Sequence, residues 1–473
     1  MSNISMKDLK LAEPTARIKI GARKVLRVKR AQDVIEIIAW ATVMAQLVMF
    51  LLDGGLKEIN NLGTAMNALA RLTALLGTDL LLIQLLLVAR VPWIDKFYGH
   101  DKATVGHKKL GKPILYFVLA HFAASLVEYS ITQTKNIIDT FFWFISDVQD
   151  MLLATIGLGL MIVVVVTSVN FARRKMSYEA WYFVHLISYI SVAASVPHIF
   201  STGNDIAGKP IQTTLWVTLY LFVFLNIAWF RVYKPIRKSF RKHLKVSQVV
   251  RESSDTVSIY LSGKHLENVE AQSGQFYFLR FMTPLQWWRP HPFSISAAPN
   301  GKYLRFTIGD RGDDTALMQK VKVGTRVAIE GPYGLFTEER RVHERVTLIA
   351  SGIGIPPVRS LAESMAARPG DITVIYRVRD EDDAALIAET REVCRRRGHR
   401  LFVISGPRKN ASSWLNDDGS DNPDLTRLLL MSPHIAESDV YICGPQIWTE
   451  HVYKDVRRAG TPDVHINSEE YAW

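Results

Sequence analysis

Residues 106–121 read GHKKLGKPILYFVLAH, an apolar run opened by lysines and bounded by His107 and His121. Ionisable side chains inside a hydrophobic stretch are costly, so a histidine at each end of one asks for a partner. The partner stretch is HLISYISVAASVPH, residues 185–198, which begins on His185 and ends on His198.

Outward from these two stretches, the 473-residue chain divides near residue 232. The first part is a series of long apolar runs, and the remainder has the charge density and short alternating segments of a soluble α/β protein. A membrane crossing takes about 20 apolar residues. Candidates are 34–52, 72–89, 113–127, 151–169, 181–200 and 215–230. The third is short, which predicts a helix that starts earlier and sets His107 near the membrane surface. The first lies too far in and lacks a small-residue cleavage site, so it reads as an anchor rather than a removed signal.

The net charge of +12 is concentrated at the ends of these runs. Residues 1–30 hold nine Lys/Arg against Asp8 and Glu13, and further clusters occupy Lys108/Lys109/Lys112, Arg173/Arg174/Lys175 and residues 231–245. That placement follows the positive-inside rule and the attraction of anionic headgroups, which argues for membrane lipid and against nucleic acid as the partner. It predicts a multi-pass cell-membrane protein with both termini and the whole soluble part in the cytoplasm. Only Cys394 and Cys443 are present, without a CxxC pair, which argues against an iron–sulfur cluster or a structural zinc.

With this orientation the third and fifth spans run in the same direction, and each carries an inner and an outer histidine. Fourteen residues separate His107 from His121, and thirteen separate His185 from His198. Those are rises of roughly 21 and 19.5 Å, about two-thirds of the hydrocarbon thickness. His107 matches His185 in depth, and His121 matches His198. Opposed imidazoles saturate a haem iron and suit it to electron transfer, so the four residues read as metal ligands for two haems stacked across the bilayer. The alternative is four histidines that hydrogen-bond between helices. Rotation is the weak point: thirteen residues land about 140° from the starting face of a straight helix, and Pro197 is the expected source of a distortion.

The soluble part opens with a β-rich stretch, roughly residues 244–336, that contains RPHPFSISAAP at 289–299. His291, Phe293 and Ser294 offer a flavin an imidazole, a stacking face and a hydroxyl on one short strand. GDRGDDT at 309–315 leads into a helix, where backbone amides and Arg311 suit a pyrophosphate. From Arg345 strands alternate with helices. Gly352-Ile353-Gly354 forms a tight strand-to-helix turn that lets backbone approach a dinucleotide, although the third glycine of the Rossmann fingerprint is absent. Arg379 suits a 2′-phosphate, whereas the neighbouring acids 380–383 suit a 2′-hydroxyl or a solvated face.

Together the paired histidines, HPFSIS, GPYG, SGIGIPP, CGP and an aromatic C-terminus resemble the NADPH oxidase and ferric reductase superfamily, most closely its prokaryotic oxidase-like flavocytochromes. The resemblance runs from residue 34 to 473. It implies a six-helix transmembrane haem bundle (34–240) behind a basic segment (1–33), then an antiparallel β-barrel FAD domain (241–340) and an α/β Rossmann-like NAD(P) domain (341–473). It implies two haem b, FAD, and NADPH, with NADH as the alternative nucleotide. His291, Pro292, Phe293 and Ser294 match the FAD motif, joined by Arg311, Gly312 and Thr315. Gly331, Pro332, Gly352 and Gly354 match segments lining the nicotinamide nucleotide site. Cys443, Gly444 and Pro445 match the loop by the nicotinamide ring, with Cys443 positioning rather than reacting, and Arg379 matches the phosphate reader. Arg71, in ALAR, resembles the arginine by the outer haem, and Tyr471 or Trp473 would cover the flavin.

The activity implied is electron transfer from NADPH to dioxygen beyond the membrane, giving superoxide, with no obligate protein subunit. Ser125 stands where animal oxidases often carry another histidine, which keeps a ferric chelate open as the acceptor. A nucleotide-regulated permease or sensor is the alternative of another class. No EF-hand loop precedes the first span, which argues against calcium control through this chain.

Overall fold

A computed structural model describes residues 22–169, 173, 175–269 and 271–471. The basic segment up to residue 21, Arg174 and Trp473 lie outside them, and of Tyr471 only the backbone is described. The described residues separate into two compact units, residues 30–232 and residues 233–471 with residues 22–29.

Among the described residues, six helices are long and apolar enough to cross a membrane, and they lie in the first unit apart from the first turns of the first helix. They are Ala22–Leu52, Leu62–Leu87, His100–Thr132, Met151–Ser168, Tyr178–Ser201 and Pro210–Asn226. The third helix does begin earlier than its apolar run, and carries Pro113 inside it. Asn61 caps the second helix reciprocally with Thr64, and Ser177 caps the fifth. Large apolar side chains such as Ile37, Trp40, Tyr116, Ile190 and Leu225 are left exposed, as lipid-facing surfaces require. The second span packs along the third and the fourth along the fifth, whereas the third and fifth make only incidental backbone approach.

In the second unit the β-rich lobe is two three-stranded antiparallel sheets. β1 (Lys245–Ser253), β2 (Thr256–Ser262) and β5 (Leu304–Gly309) form one, in the order β1-β2-β5. β4 (His291–Ser294), β3 (Phe276–Phe281) and β6 (Val327–Tyr333) form the other, in the order β4-β3-β6. The expected barrel is therefore not one continuous ladder: the sheets share a core and meet at the single bridges Lys245/Arg326 and Ile295/Phe306. The second bridge forms because residues 291–296 change partners. His291–Ser294 pair with β3, then Ser296 donates its N–H to Arg305 of β5.

The nucleotide lobe is a five-stranded parallel sheet, β11-β10-β7-β8-β9. Its strands are β7 (Val346–Ser351), β8 (Ile372–Arg377), β9 (Arg400–Ile404), β10 (Asp439–Pro445) and β11 (Ile466–Tyr471). Continuous apolar runs suit a sheet covered on both faces. Leu348, Val374 and Tyr376 pack with Val358 and Val393 on one face. Ile349, Ile375 and Ile442 pack with Leu428, Trp448 and Val452 on the other. The order reverses between β7 and β10, which is where open α/β sheets bind ligands, beyond the carboxyl ends of the strands.

Candidate functional site

In the first unit the four histidines meet as two pairs. His107 and His185 have ring centroids 5.9 Å apart, and His121 and His198 have theirs 6.3 Å apart. Each ring is braced through Nδ1. His107 donates to the Gln84 carbonyl at 3.2 Å and His121 to the Ala70 carbonyl at 3.0 Å, since a carbonyl can only accept. The Ser168 hydroxyl gives its proton to Val164, so its oxygen accepts from His185 at 3.3 Å and from Trp181 at 3.2 Å. Thr202 likewise donates to the carbonyl of His198 and accepts from its Nδ1 at 2.7 Å. With Nδ1 protonated in all four rings, Nε2 is the nitrogen that carries the lone pair, as in metal-bound histidines.

Arg71 stands one residue from the carbonyl that holds His121. Its guanidinium is already forked onto Asp205, at 2.9 and 2.5 Å, with Glu58 at 3.8 Å and the Phe50 ring at 5.4 Å. Asp205 was not singled out by the sequence reading. A cation within a span needs a counter-charge, yet nothing in the sequence says that an acid 134 positions later supplies it.

In the second unit, Phe293, Ser294, Thr307, Arg311, Ile353 and Pro356 line one small cavity. It brings the HPFS strand, the Arg311 loop and the Gly352–Gly354 turn together, three motifs that lie far apart in sequence. Arg311 pairs with Asp255 at 2.9 Å, and the Thr315 hydroxyl accepts from the Arg311 N–H at 2.8 Å and donates to the Gly312 carbonyl at 2.9 Å. The helix here, Asp313–Met318, is a turn and a half with two acids at its start. A cation missing from the sequence reading, Arg289, pairs with Asp314, whose other oxygen is 3.6 Å from His291. Gly331 and Pro332 lie on β6 of the flavin lobe, across β3 from Ser294, because Tyr333 and Ser294 both pair with Phe276.

The glycine turn after β7 and the Cys443–Pro445 end of β10 meet at the switch point. A Cβ on Gly354 would lie 2.2 Å from the Cys443 carbonyl oxygen, so only glycine lets the turn seat there. Gly352 has φ +51° with open space around it, and its carbonyl accepts from the Tyr376 hydroxyl. Cys443 is fully buried, and Gly444 packs against Trp448. Arg379 is exposed just past β8. Its neighbour Arg377 is occupied with the carbonyls of Val378, Ile404 and Gly406. Of the acidic run, Asp383 hydrogen-bonds Ser254 of the flavin lobe, which makes it an inter-lobe hook.

A buried charge network joins the same lobes. Arg305 on β5 and Arg359 on the helix Ile355–Ser364 both bind Glu389, and Glu363 accepts the Ala298 N–H at 2.8 Å. Burial pushes the Glu389 carboxyl up, but Arg359 and Arg305 more than offset it and hold it below its ordinary 4.5. A carboxylate with a lowered native pKa stabilises the fold above its unfolded value and loses that contribution as pH falls through the native one. Glu389→Gln leaves buried Arg305 without its ion-pair partner and Arg359 with Glu363 alone, and is expected to cost about 3–5 kcal/mol. In a unit of this size the apparent Tm falls by about 6–20 °C at pH 7. The gap closes as pH drops below 4.5, which thermal unfolding across pH reads directly.

Comparison with known proteins agrees with this division. Residues 73–196 match the ferric reductase like transmembrane component, residues 241–337 an FAD-binding domain, and residues 348–454 an oxidoreductase NAD-binding domain. The chain therefore carries a transmembrane ferric-reductase-like domain followed by FAD-binding and NAD-binding oxidoreductase domains. It belongs to the ferric-reductase superfamily of FAD- and NAD(P)-binding oxidoreductases.

Among relatives, the vanillate O-demethylase oxidoreductase of Pseudomonas sp. (strain HR199 / DSM 7063) is 32% identical over 34% of this chain and 47% of its own length. A flavohemoprotein of Xylella fastidiosa (strain 9a5c) is 25% identical over 47% and 57%, and the respiratory burst oxidase homolog protein D of Arabidopsis thaliana is 25% identical over 41% and 23%. The chain thus spans less than two-thirds of each. A solved flavohemoglobin from Malassezia yamatoensis aligns with a TM-score of 0.42 and 15% identity, over 85% of this chain and 96% of its own. The ferredoxin reductase of carbazole 1,9a-dioxygenase aligns with a TM-score of 0.40 and 16% identity, over 49% and 69%.

Proposed function

We propose that this chain is a transmembrane NADPH oxidase that delivers electrons from cytosolic NADPH, by way of FAD and two b-type haems, to dioxygen on the outer face of the cell membrane, giving superoxide. The observation that carries the reading is the pair of histidine pairs. Two imidazoles on opposite sides of one iron, each nitrogen about 2 Å from the metal, set their ring centroids roughly 6 Å apart. The separations of 5.9 and 6.3 Å fit that spacing, as does the outward bracing of every Nδ1. His107 and His185 would hold the inner group, and His121 and His198 the outer one.

The bound groups supply hydride acceptance at FAD and single-electron transfer at haem. The chain's own part is to orient and exclude. Phe293 and Ser294, with His291, Pro292, Arg311, Gly312 and Thr315 around them, offer the flavin its cradle. Gly352, Gly354, Gly444 and Pro445 admit the nucleotide at the switch point, Cys443 packs beneath the ring, and exposed Arg379 favours NADPH over NADH. Gly331 and Pro332 belong to the same assembly, and Tyr471 or Trp473 would cover the flavin. Arg71, held by Asp205 beside the His121 anchor, would offer N–H donors to the oxygen being reduced while Asp205 balances its charge.

Ser125 and the match of residues 73–196 to a ferric-reductase component support a second reading, a ferric-chelate reductase with the same path. One experiment separates them. Purified protein given NADPH in air is expected to reduce cytochrome c in a manner abolished by superoxide dismutase. Fast anaerobic reduction of a ferric chelate, with little oxygen consumption in air, would give the reaction to iron instead.

A further inference from the structure

One cluster of metal-ligating side chains in the nucleotide lobe serves none of these roles. His343, Asp439 and His465 bring their ligand atoms within 4.8 Å of one another. His343 precedes β7, Asp439 opens β10, and His465 ends the short turn before β11. The three therefore sit at the N-terminal ends of adjacent strands, at the opposite edge of the sheet from the Gly352–Gly354 turn.

Two observations separate this cluster from an ordinary ion pair. The first is unmet hydrogen bonding. Asp439 is fully buried, and its Oδ2 accepts the N–H groups of Val342 and His343 at 2.6 and 2.5 Å. Its Oδ1, His343 Nδ1 and His465 Nδ1 are all buried without a well-aligned hydrogen bond, although native proteins pair such atoms almost always. The second is distance. His343 Nδ1 lies 3.4 Å from Oδ2, and His465 Nδ1 lies 3.3 Å from Oδ1. A charge-assisted N–H···O bond would close to about 2.7–2.9 Å. Ligands about 2.0–2.1 Å from a tetrahedral ion stand about 3.3–3.4 Å apart.

We propose that His343, Asp439 and His465 form a binding site for a divalent transition ion of the zinc class, which staples the bases of β7, β10 and β11. Two imidazoles and one carboxylate suit zinc and disfavour calcium or magnesium, which take oxygen ligands. The imidazoles cross edge-on with centroids 4.4 Å apart, and the side chains of His343 and His465 keep 31% and 18% of their surface exposed. The exposed faces of the two rings put the site just beneath the surface, although the Nδ1 atoms themselves are buried. Counting cysteines gave no sign of such a site, because none of its ligands is a cysteine.

The test uses the full-length chain in detergent, stripped with chelator and dialysed against zinc. The unsubstituted chain is expected to take up one saturable equivalent that His343→Ala and His465→Ala each bind at least about 100-fold more weakly. Zinc should raise its thermal midpoint but not theirs. Retained FAD absorbance and NADPH-dependent flavin reduction report that the variants are folded. If a variant loses them, zinc-edge X-ray absorption of the unsubstituted chain decides. A shell of two imidazoles with oxygen supports the site, and a shell of oxygens alone overturns it. Equal zinc binding by folded variants, or no saturable binding at micromolar zinc, also overturns it.

Discussion

His121→Ala and His198→Ala chains are each expected to purify with one b-type haem per polypeptide, where the unsubstituted chain carries two. A haem b is held by its axial bonds and its cavity, without a covalent link to protein, so removing one of two imidazoles removes most of what retains it. The inner pair should be indifferent. His107 is braced by Gln84 and His185 by Ser168, whereas Ala70 and Thr202 brace the outer pair, so the two pairs share no bracing residue. Loss should therefore be selective, and His107→Ala or His185→Ala should remove the other half of the absorbance. The measurement is haem content per protein with the reduced-minus-oxidised spectrum, and it needs no turnover. Flavin content should stay near the unsubstituted value, since FAD belongs to the other compact unit. A chain with no b-type band, or four variants that keep full haem, would sink the electron-transfer reading.

The histidines were legible because lipid makes every ionisable residue in a span an exception, and four exceptions at two matched depths are hard to assign to packing. Their rotation was not. Counting about 100° per residue describes a straight, isolated cylinder, on which His185 and His198 face apart. Yet both pairs close to within half an ångström of each other in separation, 5.9 and 6.3 Å. The third and fifth spans meet through these rings rather than along a backbone seam, so side-chain reach and helix crossing replace the shared face that the count assumes. Helix ends were blurred for a related reason. The short third run predicted an earlier helix start, but the lysines at 108, 109 and 112 left the full extent, His100 to Thr132, unread.

What the sequence could not disclose is long-range pairing of charge. Arg71 finds Asp205 across 134 residues and Arg305 finds Glu389 across 84, and no periodicity links either pair. The motifs of the soluble unit fared better because each is local: HPFS is a strand and GIG is a turn. Only the fold could say that Phe293, Arg311 and Ile353 share a cavity. The division of the barrel into two sheets was likewise hidden, since the change of partner at Ile295 depends on where β5 lies.

Gly354→Ala is expected to slow NADPH-dependent flavin reduction at least about 100-fold, the cost of misplacing a reacting assembly by about 1 Å. Conformation is not the obstacle, because Gly354 has φ −74° and ψ −5°, which any residue adopts. Space is. The added methyl would stand 2.2 Å from the Cys443 carbonyl oxygen and 2.7 Å from its carbon. That backbone cannot retreat, since β10 is hydrogen-bonded to β7 on one side and β11 on the other. The turn must lift off the sheet instead, into the approach that the nucleotide needs. Gly352→Ala makes the contrast. Its φ of +51° strains an alanine by about 1–2 kcal/mol, but nothing lies within 4 Å of the new methyl, so the effect should be about 30-fold at most. Stopped-flow reduction by NADPH, set against chemical reduction by dithionite, separates a nucleotide-site defect from a damaged flavin site. Dithionite should reduce all three proteins alike. Gly354→Ala reduced by NADPH at the unsubstituted rate would show that the nucleotide does not bind at the β7/β10 switch point.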